Sequence, residues 1–152
     1  MMWSSHMLKI VANATLSICI MALCAGSVYA AEVEVTDAKL SLLPGDLPGA
    51  GYFNLTNTGD TPLTLVGAES AAFHMTHMHV STQEDDVAQM HVVEEIDVAP
   101  GESFAFAPKG YHLMFMHRTQ ALEEGDSVEV VLHFEDQQEQ PVSFTVVAPG
   151  AN

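Results

Sequence analysis

The stretch Ser127–Phe134 reads SVEVVLHF, and its pattern indicates the fold class. Apolar side chains take every second position, while Glu129 and His133 fall between them on the other side. A period of two is the signature of a strand with one face in the core and the other in water. The sequence therefore predicts a β-strand here, with His133 as an ordinary surface histidine.

The same alternation recurs along the chain, and no stretch shows the 3.6-residue period of a helix. Clusters of Pro, Gly, Asn and Asp separate the alternating segments, which is turn chemistry. The predicted strands are 32–40, 51–57, 63–68, 73–80, 87–93, 103–107, 112–117, 127–134 and 141–147. Short strands at this spacing predict a single all-β domain, an antiparallel sandwich or barrel with Greek-key crossings.

The N-terminal segment 1–30 has the composition of a secretion signal. Lys9 precedes an apolar stretch that ends near Ala25, and small residues stand before Ala31 at the expected cleavage point. Two alternatives are an uncleaved membrane anchor and a lipoprotein that uses Cys24, although Leu23 fits a lipobox poorly. We expect cleavage, a periplasmic domain over 31–152, and no stable membrane insertion afterwards.

Cysteine and charge narrow the function of this domain. Both cysteines, Cys19 and Cys24, lie in the predicted signal, so the exported part has neither a thiol nor a disulfide. All twenty acidic residues follow Ala30 against three basic ones, a difference of −17. Nucleic-acid binding is excluded because phosphate recognition needs a basic surface. The acidity favours either a self-repelling, soluble surface or a field that gathers cations.

Histidine and methionine are concentrated between Phe73 and His117, where six histidines and five methionines occur. Four of these residues are candidate metal ligands: His79, Met90, His112 and Met114. Two thioethers with two imidazoles are soft, neutral donors that suit Cu(I) better than Zn²⁺, Ca²⁺ or Mg²⁺. The alternative is that the methionines only fill the core.

Strand alternation gives these candidates a common face. On one strand His112, Met114 and Met116 point the same way, and on another Met75, His77 and His79 do so. A hairpin after His79 would return Met90 close to it. We expect Met75 and His77 to form an auxiliary site, with surface residues of no function as the alternative.

The interval His-x10-Met-x21-His-x-Met, carried by His79, Met90, His112 and Met114, resembles the periplasmic copper chaperone family known as PCuAC. The stretches GAGYF at 49–53, NTGD at 57–60 and PKGYHLMFM at 108–116 are also similar to that family. The resemblance spans roughly residues 32–148. It implies a cupredoxin-like β-sandwich that binds Cu(I) and supplies the CuA centre of cytochrome c oxidase, often beside Sco-type proteins. The His- and Met-rich C-terminal tail of many relatives is missing.

Three functional classes follow. The first is a Cu(I) metallochaperone that passes copper to an acceptor such as a CuA oxidase subunit or a Sco-type protein. The second is a copper-buffering or resistance protein without a dedicated acceptor, and the third is a structural β-sandwich without metal. An enzyme is not expected, because no nucleophile–base arrangement stands out. A blue-copper electron-transfer site is excluded because it needs a cysteine thiolate.

Overall fold

The computed structural model describes residues 32–84 and 87–151, and its regular structure there consists of strands alone. Among these residues, no helix is long and apolar enough to cross a bilayer. The predicted signal 1–30 lies outside the described residues. The ten strands are β1 Val33–Ser41, β2 Gly49–Asn57, β3 Leu63–Glu69, β4 Phe73–Glu84, β5 Val87–Val93, β6 Ile96–Val98, β7 Ser103–Phe106, β8 Tyr111–Arg118, β9 Ser127–Phe134 and β10 Glu139–Val147.

The strands form one open sheet in the order β5-β4-β8-β2-β1-β10-β9-β3-β6, with β7 paired to β2. All neighbouring pairs are antiparallel except β1 and β10, which run parallel through Lys39–Ser41. Strands β2 and β3 are not neighbours in the sheet, and neither are β3 and β4, so the chain crosses over at both connections. After the second crossover, β4 lies between β5 and β8. The prediction of a single all-β domain is confirmed. The mixed sheet differs from a purely antiparallel one at the β1–β10 pair.

The sheet folds over a single hydrophobic core to which nine of its strands contribute buried residues. Phe115 on β8 and Phe144 on β10 are separated by two strands in the sheet order, yet their ring centroids lie 6.3 Å apart in an edge arrangement. Phe53 on β2 stands 5.6 Å from the same Phe144 ring. The inward faces of the two halves of the sheet therefore meet around these phenylalanines.

Gly51 allows β2 to pass beneath this aromatic cluster. A Cβ atom at this position would lie 2.7 Å from Phe115 Cε2 and 3.3 Å from Phe144 Cε1. The first distance is below any tolerated contact, so an alanine would displace the Phe115 ring. Because Gly51 pairs with Leu113 on β8, this close packing also fixes the strand that carries His112 and Met114.

The structure differs most from the predicted strands at β4 and at β6. Strand β4 continues to Glu84, where Val80 was the predicted end, because residues 81–84 pair with β5 in a long hairpin. The three-residue strand β6 was not predicted. Its pairing with β3 buries Ile96 and Val98 in the core, with Asp97 between them on the exposed side.

Candidate metal centre

Successive residues of strand β8 point alternately into the core and toward the face that carries the candidate ligands. Leu113 and Phe115 are fully buried, whereas Met114 and Met116 on the other face are partly exposed. The alternation ends at His117, which was predicted to share the face of Leu113 and is exposed. Its φ of 56° places it in the left-handed region, and a strand residue there breaks the pleat. Between His112 and Met116, the predicted faces match the structure.

Strand β4 lies antiparallel to β8 and presents its own candidates opposite those of β8. His79 pairs directly with His112, and His77 pairs directly with Met114. Directly opposite side chains on one face have Cβ atoms about 5 Å apart. The pairing register therefore brings imidazole and thioether donors from two distant segments of the chain to one surface.

The His79–His112 pair forms the centre of this surface. The two ring centroids lie 5.9 Å apart. His112 is only 6% exposed, and its Nδ1 lies 3.1 Å from the carbonyl oxygen of Gly110. A carbonyl can only accept, so Nδ1 carries the proton and donates it. This bond leaves Nε2 as the ring nitrogen that is available to a metal, the arrangement found in metal-binding histidines.

His79 also has a ring nitrogen without a hydrogen-bond partner. Its Nδ1 is buried and makes no hydrogen bond. Burial, reinforced by the neighbouring rings of His112 and His77, lowers the pKa of His79 below its ordinary value of 6.5. The ring is therefore neutral at pH 7, the form that binds a metal. The neutral His79 ring therefore fits a soft cation, and both imidazoles leave a ring nitrogen without a hydrogen bond.

The two thioethers flank the imidazole pair on the same face. Met114 lies two residues beyond His112 on β8, opposite His77. Met90 lies on β5 opposite Ser81, which places it diagonally to His79, and it is 50% exposed. Diagonal neighbours are about 7 to 8 Å apart at Cα, within reach of a methionine side chain. The hairpin therefore returns Met90 beside His79, on the outer strand and on the side away from Met114.

The auxiliary candidates lie on the same face, farther along β4. His77 is exposed, and its ring centroid lies 6.3 Å from that of His79. Met75 is 43% exposed and pairs directly with Met116 of β8. Sequence reasoning placed Met116 on this face without assigning it a role. The matching alternation of β4 and β8 could have suggested a role for Met116 opposite Met75. The register of the two strands, which decides this pairing, cannot be read from the sequence.

Between Met75 and Gln83 of β4, and at the positions that pair with them on β5 and β8, no Asp, Glu, Lys or Arg occupies this face. Its members by register are Met75, His77, His79, Ser81 and Gln83 of β4, Ala88, Met90 and Val92 of β5, and His112, Met114 and Met116 of β8. Among the described residues, no three His, Cys, Asp or Glu side chains converge to hold a metal ion. We call this surface the His/Met face. Its donors are imidazole and thioether, and the thioethers carry no charge at any pH.

Comparison with solved structures finds similar domains. The apo PCuAC domain of PmoF2 is 25% identical, with a TM-score of 0.64, over 79% of this chain and 93% of that one. Apo DR1885 from Deinococcus radiodurans is 26% identical, with a TM-score of 0.62, over 80% of this chain and 83% of that one. The CuI form of DR1885 gives 26% identity and a TM-score of 0.58 over 72% and 74%. The predicted likeness to PCuAC domains is confirmed at the level of the fold.

Comparison with curated protein sequences gave no significant match. Comparison with family profiles matched residues 29–146 to the family described as "Putative lipoprotein LpqE-like". The match covers all ten strands almost completely, including the whole His/Met face. The chain therefore belongs to the LpqE-like family, and its domain has the fold of PCuAC domains.

Proposed function

We propose that this protein is a metallochaperone that binds Cu(I) on the His/Met face and delivers it to an acceptor protein. His79 and His112 hold the ion through ring nitrogens, and Met114 and Met90 complete the site through their sulfur atoms. Copper is cargo here, and the protein carries out no reaction on a substrate. The observation that carries the proposal is the direct His79–His112 pairing, flanked by one thioether on each side.

The donor chemistry favours the reduced ion. Thioether sulfur is soft and uncharged, so it stabilises Cu(I) relative to Cu(II) and has little affinity for Ca²⁺ or Mg²⁺. Ring nitrogens of neutral histidine add affinity without adding charge. The loaded site keeps a net charge of +1, which a thiolate acceptor neutralises better than this site does. Transfer to such an acceptor is therefore downhill by ligand exchange.

The solved relatives support copper as the cargo. DR1885 has been solved in a CuI form, and its chain is 26% identical to this one. We propose the same ion for this chain, with a CuA oxidase subunit or a Sco-type protein as the acceptor. The His/Met face carries no carboxylates, so an acidic acceptor protein can dock there. The rest of this acidic protein's surface would repel such a partner.

We further propose that segment 1–30 is removed on export and that the domain 31–152 works in the periplasm. An oxidising compartment matches a metal site that contains no thiol, because thioether and imidazole donors do not form disulfides. The family description, which names lipoproteins, is in keeping with export.

Copper transfer to an apo CuA domain tests this function. The Cu(I)-loaded protein is mixed anaerobically with the apo domain, the two are separated, and copper is measured in each. We expect most of the copper in the acceptor, and the purple colour of CuA after mild oxidation. A CuA domain whose cysteines are replaced by serine is the control, and it should take up no copper.

The alternative function is copper buffering without a dedicated acceptor. It would be supported if copper reached the CuA domain no faster than from a small-molecule Cu(I) chelate of equal affinity. That result would overturn the chaperone proposal while leaving the copper site intact.

A further inference from the structure

Four residues along β4 from the His79–His112 pair, the β4–β8 ribbon carries a second pair of soft donors. Met75 lies directly opposite Met116, and both are on the His/Met face. Met75 is 43% exposed and lies outside the hydrophobic core. Met78, on the opposite face of the same strand, is 3% exposed and belongs to the core. Core packing therefore explains Met78 and does not explain Met75.

We propose that Met75, Met116 and His77 form a second Cu(I) position, the outer position, beside the site centred on His79 and His112, which we call the inner site. Cβ atoms of a directly opposite pair are about 5 Å apart, so two methionine sulfurs can converge on one ion. The exposed ring of His77 is two residues away on the same face. Two thioethers and one imidazole give a neutral three-coordinate set that selects Cu(I) over harder ions.

The imidazoles of the two positions differ in exposure. His77 at the outer position is exposed, whereas His112 at the inner site is 6% exposed. The inner site, with its buried imidazole, holds the ion more firmly because water competes less there.

The His77–Met114 pair links the two positions, because His77 belongs to the outer position and Met114 to the inner site. His79 lies four residue steps along β4 from Met75, about 13 Å at the rise of a strand, and His77 lies about 7 Å from each of them. Copper passes along the ribbon by ligand exchange: one Cu–S bond to Met75 or Met116 breaks as a bond to Met114 forms. The ion remains Cu(I), and no electron or proton moves.

This inference rests on the proposed Cu(I) carriage, but its test separates the two. The exported protein, labelled with ¹³C at the methionine methyl groups, is titrated anaerobically with Cu(I) supplied by a chelator of known affinity. We expect two equivalents. The first should shift the methyl signals of Met90 and Met114, and the second those of Met75 and Met116, with Met78 unchanged.

In the double variant Met75→Leu/Met116→Leu, the affinity for the second equivalent should fall at least tenfold. Binding of the first equivalent should be unchanged. Leucine has nearly the same volume, and both positions are on the surface, so the fold should be retained. Met78→Leu is the matched control and should keep both equivalents. His79→Ala should lose the first equivalent and keep the second.

A wild-type protein that binds one equivalent only, with shifts at Met90 and Met114, or a double-leucine variant that keeps two equivalents, would overturn the outer position. Absence of the first equivalent with shifts at Met75 and Met116 alone would overturn the proposed site at His79 and His112, and leave the outer position standing. The two failures are therefore distinguishable in one titration.

Discussion

Replacing His79 by alanine is expected to weaken Cu(I) binding at the inner site by about 100-fold or more, since loss of even an outer hydrogen-bond partner of a ligand costs 10- to 100-fold. The ring is half-buried, and its Nδ1 makes no hydrogen bond that would compete with a metal. Its centroid is 5.9 Å from that of the His112 ring. Its removal leaves His112 without an opposite imidazole. A competition titration against a Cu(I) chelator measures the loss.

The matched control is His91→Ala. His91 pairs with Val80 and lies on the opposite face of the same hairpin, where it is exposed. Its replacement should leave the affinity within about threefold of that of the unaltered protein. Equal losses in the two variants would show that the effect comes from the hairpin and not from coordination by His79.

Replacing Asn57 by alanine is expected to lower the free energy of unfolding by about 3 kcal/mol, because it leaves several buried polar groups without a partner. Asn57 is fully buried at the end of β2. Its Nδ2 donates to the carbonyl oxygens of Thr61 at 2.7 Å and Val98 at 3.0 Å, and its Oδ1 accepts from the Gly59 amide at 3.0 Å. One side chain thus joins β2 to the following turn and to β6.

Urea unfolding of the metal-free protein measures this loss, with Asn54→Ala as the control. Asn54 is on the same strand, and its single side-chain hydrogen bond, to Asp37, is exposed, so its removal should cost less than about 1 kcal/mol. A similar midpoint for the two variants would contradict the assigned role of Asn57. The folded fraction of Asn57→Ala should bind Cu(I) normally, since the residue is not on the His/Met face.

The faces of the ligand strands could be predicted because a strand alternates strictly. The order His112, Met114 and Met116 already placed these three side chains together, and burial of Leu113 and Phe115 fixed which face was inward. The same reasoning failed at His117, where a positive φ reverses the alternation. Such a kink depends on the chain around it and leaves no periodic signal.

Register and long-range pairing were not predictable. The direct pairing of His79 with His112 depends on the register of β4 against β8. The sequence shows which face of its strand each histidine occupies, but it does not show which residues of the two strands lie opposite each other. The position of Met90 depends on where the β4–β5 hairpin turns. Strand β4 was predicted to end at Val80, but its last pair with β5 is Glu84 with Val87. Parallel pairing of β1 with β10 joins the two ends of the domain, and no local pattern encodes it.

The central claim is that one Cu(I) ion is held by imidazole and thioether groups of the His/Met face. The X-ray absorption spectrum of the protein loaded with one equivalent of Cu(I) tests it most directly. We predict two nitrogen and two sulfur scatterers around copper, and one sulfur fewer in each of Met90→Leu and Met114→Leu. A first shell of nitrogen and oxygen alone, or a sulfur count unchanged in both leucine variants, would contradict the account.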